Sequence, residues 1–438
     1  MKSKQIIHGS GWRVLLICLM ILATKCGRSM YFVIVSWLAL HITGDVASVG
    51  LVLVWWPLLS LTLGPLMGAV IDRFNRCNLF ILGEGLRLGA IVGLLLASSF
   101  GPPSEADEGI SMVALHLTAC MVSLGSLFSL PATQGLLQAV GRESLTRIVA
   151  LGASVHQFGS ISGAALGGLT VALLGFEAAL SIVATCCLAA MAFAAPLHRD
   201  GDLLSSDEAP SYSTAVMDGV RLVFRDQQLL IACLAIALLW SAAQMSTVLL
   251  AAFTRFELGL GADAYGWIDA MWGVGAIIAG FLMVRLSHHL PERYLRRFGL
   301  LFLAGATACF SAAGELWSAL VLHGLMGMAF AANRIVYDTY ILKTVESGMV
   351  GRVRNNIQAA IGTMGILVYL LPSLYEGHSV RLAYMVFAGF LAVSAVALVL
   401  WRYRLNKAKT PDAQFSHVDS GGGTSTQVRP KRANDMAH

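Results

Sequence analysis

The sequence predicts an all-α membrane protein with about twelve spanning helices, arranged as two halves of six. Three observations support this prediction. Of the 438 residues, 57% are hydrophobic and only 13% are charged, whereas an ordinary soluble domain carries about 25% charged residues. Apolar runs of about 20 residues, long enough to cross a hydrocarbon core about 30 Å thick, recur along the chain. One long polar interruption divides these runs near the middle.

The apolar runs are expected to be helices, because a backbone in lipid must satisfy its own hydrogen bonds. The two-residue alternation of a transmembrane β-barrel is missing from the sequence. The first run, from Trp12 to Trp37, is too long for the core of a signal peptide, and no small-residue cleavage site follows it. We therefore interpret it as a retained first span.

The polar interruption lies between His198 and Gln228 and contains several acidic residues and serines. It predicts an N-terminal half at 1–197, a cytoplasmic linker at 198–227, a C-terminal half at 228–403 and a disordered cytoplasmic tail at 404–438. The expected spans are 13–41, 46–71, 77–99, 110–131, 146–174, 177–197, 228–252, 263–286, 297–314, 317–342, 354–374 and 380–402.

Basic residues indicate the orientation of the chain. They concentrate in alternate loops, as in Arg142 with Arg147 and Arg352 with Arg354, and at both termini. The intervening loops are acidic, with Asp45 as one example. The positive-inside rule then places both termini in the cytoplasm, which requires an even number of spans. The net charge of +5 is thus a topology signal, and we expect no nucleic-acid partner.

A loop after the second span carries the most informative motif, Gly64-Pro65-Leu66-Met67-Gly68-Ala69-Val70-Ile71-Asp72-Arg73-Phe74-Asn75-Arg76. It resembles the signature loop of the major facilitator superfamily, G-x-x-x-D-[RK]-x-G-[RK]-[RK]. The matching residues are Gly68, Asp72, Arg73 and Arg76. The resemblance implies that the aspartate and the arginines form a charged cytoplasmic latch that gates the two halves.

Further segments resemble one branch of that superfamily, the enterobactin-type siderophore exporters and macrolide efflux pumps. These segments are Pro131-Ala132, Arg142-Glu143-Ser144-Leu145, Gly219–Phe224 and Gly351-Arg352-Val353. The glycine-rich fifth span, Gly159–Gly168, resembles an antiporter motif but has Ala164 where those proteins often have proline. The resemblance implies a multi-pass efflux transporter of the bacterial inner membrane, acting on a small molecule.

Ionisable groups inside the spans are the candidate functional residues, because burying a charge in the bilayer costs at least a few kcal/mol. Lys25 lies about 18 Å deep along the first span, and Arg28 follows one turn later. Near the midplane such cations form a candidate substrate site for carboxylates. Structural pairing with an acidic residue on a neighbouring span is the alternative. Other candidate substrate residues are Asn333, Arg334, Trp240 and Gln244.

A second group of charged residues could couple protons or gate the transporter. Arg334 and Asp338 can pair with each other, or Asp338 can carry protons while Arg334 faces the cavity. Glu84 and Arg87 are three residues apart, which fits a gating or structural ion pair. Asp269 could be a proton site or an extracellular latch. The lone histidines His116 and His156 are more simply explained as buried and satisfied.

No phosphate-binding loop of the form G-x-x-x-x-G-K-[ST] and no catalytic or metal-ligand spacing occurs in the sequence. We therefore expect a monomeric secondary transporter that is not an enzyme and needs no cofactor. The leading hypothesis is a proton-coupled exporter of a small anionic metabolite, such as a carboxylate siderophore. Alternatives are a multidrug or macrolide efflux pump, an importer of the same fold, and a membrane sensor that transports nothing.

Overall fold

The computed structural model describes residues 2–64, 67, 74–100, 110–140, 145–199, 221, 223–286, 292–345, 349–374 and 379–408. Every regular element within these ranges is a helix. The helices are α1 (Lys2–Thr43), α2 (Val46–Leu53), α3 (Trp55–Thr62), α4 (Arg76–Phe100), α5 (Met112–Val140), α6 (Leu145–Ala194), α7 (Gln227–Ala252), α8 (Ala262–Leu286), α9 (Glu292–Ser311), α10 (Leu316–Thr344), α11 (Val350–Leu370) and α12 (Val380–Ala408).

Nine helices within the described part of the chain are long and apolar enough to cross a membrane. One of them, the 50-residue α6, is two spans joined without a loop, because Gly175 interrupts it with φ 81° and ψ 178°. That backbone conformation is open to glycine and strained for other residues. The break falls between the predicted fifth and sixth spans, 146–174 and 177–197.

The second span is made of α2 and α3, which meet at Val54. Asp45 begins it as an N-cap, and its side chain accepts a hydrogen bond from the backbone N–H of Ala47 at 3.0 Å; such caps satisfy the free donors of a helix start. Three further spans add to these nine helices: the shorter α2–α3 unit, the second span of the divided α6, and α9. The structure therefore has about twelve spans. The predicted fold class is confirmed.

Helix α5 extends further than predicted. The sequence places the end of the fourth span near residue 131, but the helix continues through Pro131 to Val140. Gln134 and Gln138 lie on this helical extension and line a cavity, so the polar side chains after Pro131 belong to a cavity-lining face of the helix.

The two halves meet closely at the end of the bundle where α6 reaches Gly175. A Cβ atom built on Gly168 of α6 would collide with the carbonyl oxygen of Ala262 in α8. In the same way, a Cβ on Gly50 of α2 would collide with the carbonyl oxygen of Tyr369 in α11. Small residues allow backbones to approach in this way. These contacts bring the halves together at this end, which we call the closed end.

The segment between the halves is described only in part. Residues 195–199 form a 3₁₀ turn after α6, and Asp226 caps α7 by accepting hydrogen bonds from the N–H groups of Gln228 and Leu229. Residues 200–220, residue 222 and the tail after residue 408 lie outside the described residues. The domain boundaries at 197, 227 and 403 therefore stay predictions.

Candidate functional site

A cavity of about 640 Å³ lies between the halves, at the end opposite the closed end. Helices α1, α5 and α6 of the N-terminal half and helices α10 and α11 of the C-terminal half line it. Its polar lining residues are Thr24, Lys25, Thr133, Gln134, Gln138, His156, Gln157, Arg334 and Arg354.

The charge of this cavity has one sign. Lys25, Arg334 and Arg354 are cationic, and none of the described residues that line it is Asp or Glu. One cation comes from the first half and two come from the second. Like charges that share a low-dielectric cavity repel one another. A bound anion would offset this repulsion and hold both halves at once.

Arg334 keeps its charge available to the cavity. Its Nε lies 3.6 Å from Oδ2 of Asp338, but the two side chains are 54% and 45% exposed, and exposed pairs of this kind contribute little. The guanidinium also lies 5.5 Å from the ring centroid of Trp240. Trp240 thus contacts Arg334 through its ring but does not itself line the cavity.

Arg28 lies outside this cavity. Its guanidinium lies 4.6 Å from the centroid of Trp56 and 5.6 Å from that of Phe32, and the residue is only 9% exposed. No carboxylate among the described residues is within ion-pair distance of it. Three residues of helix rotate a side chain by about 300°, so Lys25 and Arg28 point about 60° apart. On the packed helix α1 this angle separates them into two pockets.

Glu84 and Arg87 form a buried ion pair in α4. Nη1 of Arg87 donates to both carboxylate oxygens of Glu84 at 2.7 Å, and the side chains are 0% and 1% exposed. Two other nitrogens of Arg87, Nε and Nη2, are buried without a hydrogen-bond partner. The pair lies where α4 and α5 approach closely at Gly83 and Gly125.

Asn333 and Gln244 lie at helix contacts rather than in the cavity. Nδ2 of Asn333 donates to the carbonyl oxygen of Ala329 at 2.8 Å, and its amide packs against Gly299 of α9. Nε2 of Gln244 donates to the carbonyl oxygen of Ile361 at 3.5 Å. Both residues were expected to bind substrate, and the structure places neither with Lys25.

The signature loop is described only at its end. Asp72 and Arg73 lie outside the described residues. Arg76 is half-buried, and its Nη1 donates to the carbonyl oxygen of Gly135 at 3.0 Å. This contact ties the start of α4 to the extension of α5. A latch formed by all three charged residues stays a prediction.

Asp269 lies on the face of α8 that packs against the N-terminal half. Gly266 and Gly273, three and four residues away, both contact α6. The side chain of Asp269 is half-buried, and no described residue forms a hydrogen bond or ion pair with it. Its position between the halves fits a proton site, and both this role and that of a latch stay predictions.

One polar residue near Asp269 was missed by the sequence analysis. His323 of α10 is 1% exposed, and its Nδ1 lies 2.6 Å from the carbonyl oxygen of Ile268. Because a carbonyl can only accept, Nδ1 carries the proton and Nε2 accepts from the hydroxyl of Ser246 at 2.8 Å. No periodic signal in the apolar run around His323 distinguishes it.

Two residues that the sequence did not predict to line the cavity are found on its wall. His156 was expected to be buried, and instead it is exposed on the cavity wall. Arg354, which the sequence analysis used only to orient the chain, lines the same cavity. A signal for the cavity did exist in α5, because Gln134 and Gln138 are four residues apart and share one helix face.

Two six-helix halves around a polar cavity, closed at one end, define a membrane transporter. A family model described as Major Facilitator Superfamily matches residues 17–353 and 240–431. The chain belongs to this superfamily, whose members are generally not enzymes.

Known relatives agree with this membership. The uncharacterized MFS-type transporter YfiS of Bacillus subtilis (strain 168) is 24% identical over 326 residues, which are 70% of this chain and 73% of YfiS. The multidrug efflux pump Tap of Mycobacterium tuberculosis (strain ATCC 25618 / H37Rv) is 23% identical over 368 residues, 79% of this chain and 84% of Tap. The same fold occurs in a solved structure: the crystal structure of the nucleoside transporter NupG superposes with a TM-score of 0.70 at 14% identity, covering 89% of this chain and 98% of that one.

Proposed function

We propose that this protein is a proton-coupled exporter of a small anionic metabolite, with carboxylate siderophores as the best-fitting class. One observation carries the proposal: Lys25, Arg334 and Arg354 line a single cavity between the halves, and no described acidic residue shares it. The volume of about 640 Å³ lies within the range typical of small-molecule sites.

The lining matches a polyvalent, hydroxylated anion. An arginine guanidinium can bind a carboxylate through two parallel hydrogen bonds, and a lysine ammonium adds a compact charge. Gln134, Gln138 and Gln157 supply amide donors and acceptors at the same wall, which suit hydroxyl or amide groups of the substrate.

The arrangement also supports alternating access, in which the halves rock around a central site. Closing the cavity would bring Lys25 of one half towards Arg334 and Arg354 of the other. Without an anion, this movement increases repulsion between the cations. An anion between these cations attracts all of them and so outweighs their repulsion. Closure of the cavity around the substrate is therefore favoured when the substrate is present.

Proton coupling is proposed for the two carboxylates identified above. Asp269 lies at the contact between the halves without an ion-pair partner among the described residues, and Asp338 lies one turn from Arg334. Protonation of either would change the charge balance where the halves move. Protons running inwards would then drive the anion outwards; an importer of the same architecture is the alternative direction.

A multidrug efflux pump is the second candidate function, and the similarity to Tap favours it. The charge of the cavity argues against it, because a cationic drug would meet Lys25, Arg334 and Arg354 without a described carboxylate on the wall. The two candidates therefore predict opposite charge preferences.

Binding to the purified full-length protein separates these candidates. Citrate, a carboxylate siderophore and a cationic dye are titrated, and heat release or thermal stabilisation is measured. We expect the two carboxylates to bind and the dye to bind weakly. Lys25→Gln and Arg334→Gln should each weaken carboxylate binding roughly tenfold to a hundredfold, because a charge-assisted hydrogen bond contributes about 1.5–3 kcal/mol.

Arg285→Gln is the matched control, because Arg285 is exposed at the end of α8 and does not line the cavity. It should bind carboxylates as the parent protein does. Tight dye binding that is insensitive to Lys25→Gln, with no carboxylate binding, would reject the anion proposal and favour the multidrug alternative.

A further inference from the structure

A second polar pocket lies inside the C-terminal half, among α7, α9, α10 and α12. Its volume is about 460 Å³, and it shares no lining residue with the transport cavity. Its polar lining residues are Gln228, Arg296, Arg297, Tyr337, Tyr340 and Arg402. It lies towards the same end of the bundle as the transport cavity, where α9 begins and α12 approaches its last turn.

Three arginines contribute charge to this pocket, and two of them lie close to one aromatic ring. The guanidinium of Arg296 lies 4.2 Å from the centroid of Tyr340, and that of Arg402 lies 5.9 Å from the same centroid. Ring faces attract cations, but the ring cannot neutralise two of them. Two guanidinium groups held this close repel each other unless an anion lies between them.

Arg296 also has unused hydrogen-bonding capacity. Its Nε and Nη1 are buried without a hydrogen-bond partner. Its helix position is fixed by Tyr337, whose hydroxyl donates to the backbone carbonyl of Arg296 at 3.2 Å. A buried donor without a partner is costly. The protein therefore fixes Arg296 in position but leaves two of its N–H groups without an acceptor.

No described acidic residue lines the pocket. The nearest carboxylate on α9 is Glu292, one turn before Arg296, and it is already paired with Lys343 of α10. Glu292 also acts electrostatically on Arg296, but no described carboxylate forms an ion pair with Arg296, Arg297 or Arg402. One carboxylate that is shared with Lys343 does not balance three arginines, so the described residues of the pocket keep an excess of positive charge.

We propose that this pocket binds a phosphate group, either as the headgroup of an anionic phospholipid or as a soluble phosphate. A phosphate presents several strong acceptor oxygens and at least one negative charge, which fits two arginines that converge on one ring. Basic pockets between spanning helices are suited to such headgroups. The bound group would tie α9 and α12 to α10 and stabilise the C-terminal half independently of the transported substrate.

Thermal unfolding of the full-length protein tests the proposal in two arms. In the first, inorganic phosphate is titrated into detergent-solubilised protein, with chloride at matched ionic strength as the reference. In the second, nanodiscs containing phosphatidylglycerol are compared with nanodiscs of phosphatidylcholine alone. Because a ligand that binds only the folded state raises the Tm, we expect a rise in at least one arm, and the arm that responds identifies the source of the phosphate.

The variants decide whether this pocket is responsible. Arg402→Gln should weaken the apparent affinity roughly tenfold or more. Arg404→Gln changes an exposed arginine on the same helix that does not line the pocket, and it should respond as the parent does. Arg297→Gln provides a second pocket variant should Arg402→Gln fail to fold. The proposal is overturned if neither arm raises the Tm of the parent, or if the Arg404→Gln control loses the effect as fully as the pocket variants.

Discussion

At the scale of single residues, the same charge has different consequences in different surroundings. Lys25 and Arg334 are cations on a polar cavity wall, Arg28 lies close to two aromatic rings, and Arg87 is buried against Glu84. Only the first environment leaves a cation free to meet a substrate. The proposed anion site therefore depends on Lys25 and Arg334 rather than on the predicted pair of Lys25 and Arg28.

The buried pair in α4 predicts a large effect on stability. Glu84→Gln removes the charge that balances Arg87, which is 1% exposed. Breaking a buried pair by removing one partner costs about 3–5 kcal/mol. We expect a lower Tm in detergent and less folded protein in the membrane, measured on the same preparation.

Asp338→Asn is the matched control, because Asp338 forms its ion pair with Arg334 and both side chains are about half exposed. Losing that pair should change stability by about 0–1 kcal/mol. The double variant Glu84→Gln/Arg87→Met should recover much of the lost stability, since a well-packed apolar residue can replace a buried ion. Normal stability of Glu84→Gln alone would contradict a structural ion pair.

At the scale of helices, glycines decide where the halves can touch. In α6, Gly163 packs against the backbone of Cys26 in α1, and Gly168 packs against α8. This stretch is the glycine-rich motif of the predicted fifth span, and its contacts are closely packed. One face of α6 therefore packs within its own half, and a different face of α6 contacts the other half.

This geometry predicts the effect of adding a side chain at the closed end. In Gly168→Val, the new atoms would collide with Ala262 and Gly266, so α6 and α8 cannot keep their present contact. We expect the closed end to open more often. A cysteine introduced as Ser36→Cys, at a position 1% exposed in α1, should then react faster with a membrane-impermeant maleimide in a background without the native cysteines.

Gly389→Val provides the comparison, because nothing lies within 4 Å of a Cβ built at Gly389 in α12. It should leave the labelling rate at Ser36→Cys unchanged. If Gly168→Val is as abundant as the parent protein and its labelling rate is also unchanged, the contact between α6 and α8 does not hold the closed end shut.

At the scale of the whole molecule, hydropathy was sufficient for the fold but not for the site. A bilayer forces apolar runs to be helices of fixed length, so the spans and the break near Gly175 could be predicted. The cavity depends on the face each helix turns inwards. That is set by packing between helices far apart in sequence, which is why His156 was expected to be buried, the position of Arg354 on the cavity wall was not predicted and His323 was missed.

The orientation of the whole molecule in the membrane is the last prediction. The cavity opens near the ends of α5 and α10, beside the loops whose arginines the positive-inside rule places in the cytoplasm. The structure would then be the state that faces the cytoplasm. Ala153→Cys, exposed on the cavity wall, should react with an impermeant maleimide in inverted membrane vesicles but not in intact cells.

Glu315→Cys should show the opposite pattern, because Glu315 is exposed just before α10, at the other end of that helix. Reporter fusions at Glu105 and Glu376 should agree with it and report the periplasm, whereas fusions at Arg293 and Arg352 should report the cytoplasm. If both cysteine patterns are reversed, the topology is inverted and the structure is the outward-facing state. If Ala153→Cys reacts in intact cells while Glu315→Cys keeps its expected pattern, the topology holds but the cavity is mostly open to the periplasm. The closed end is then not closed in the most populated state.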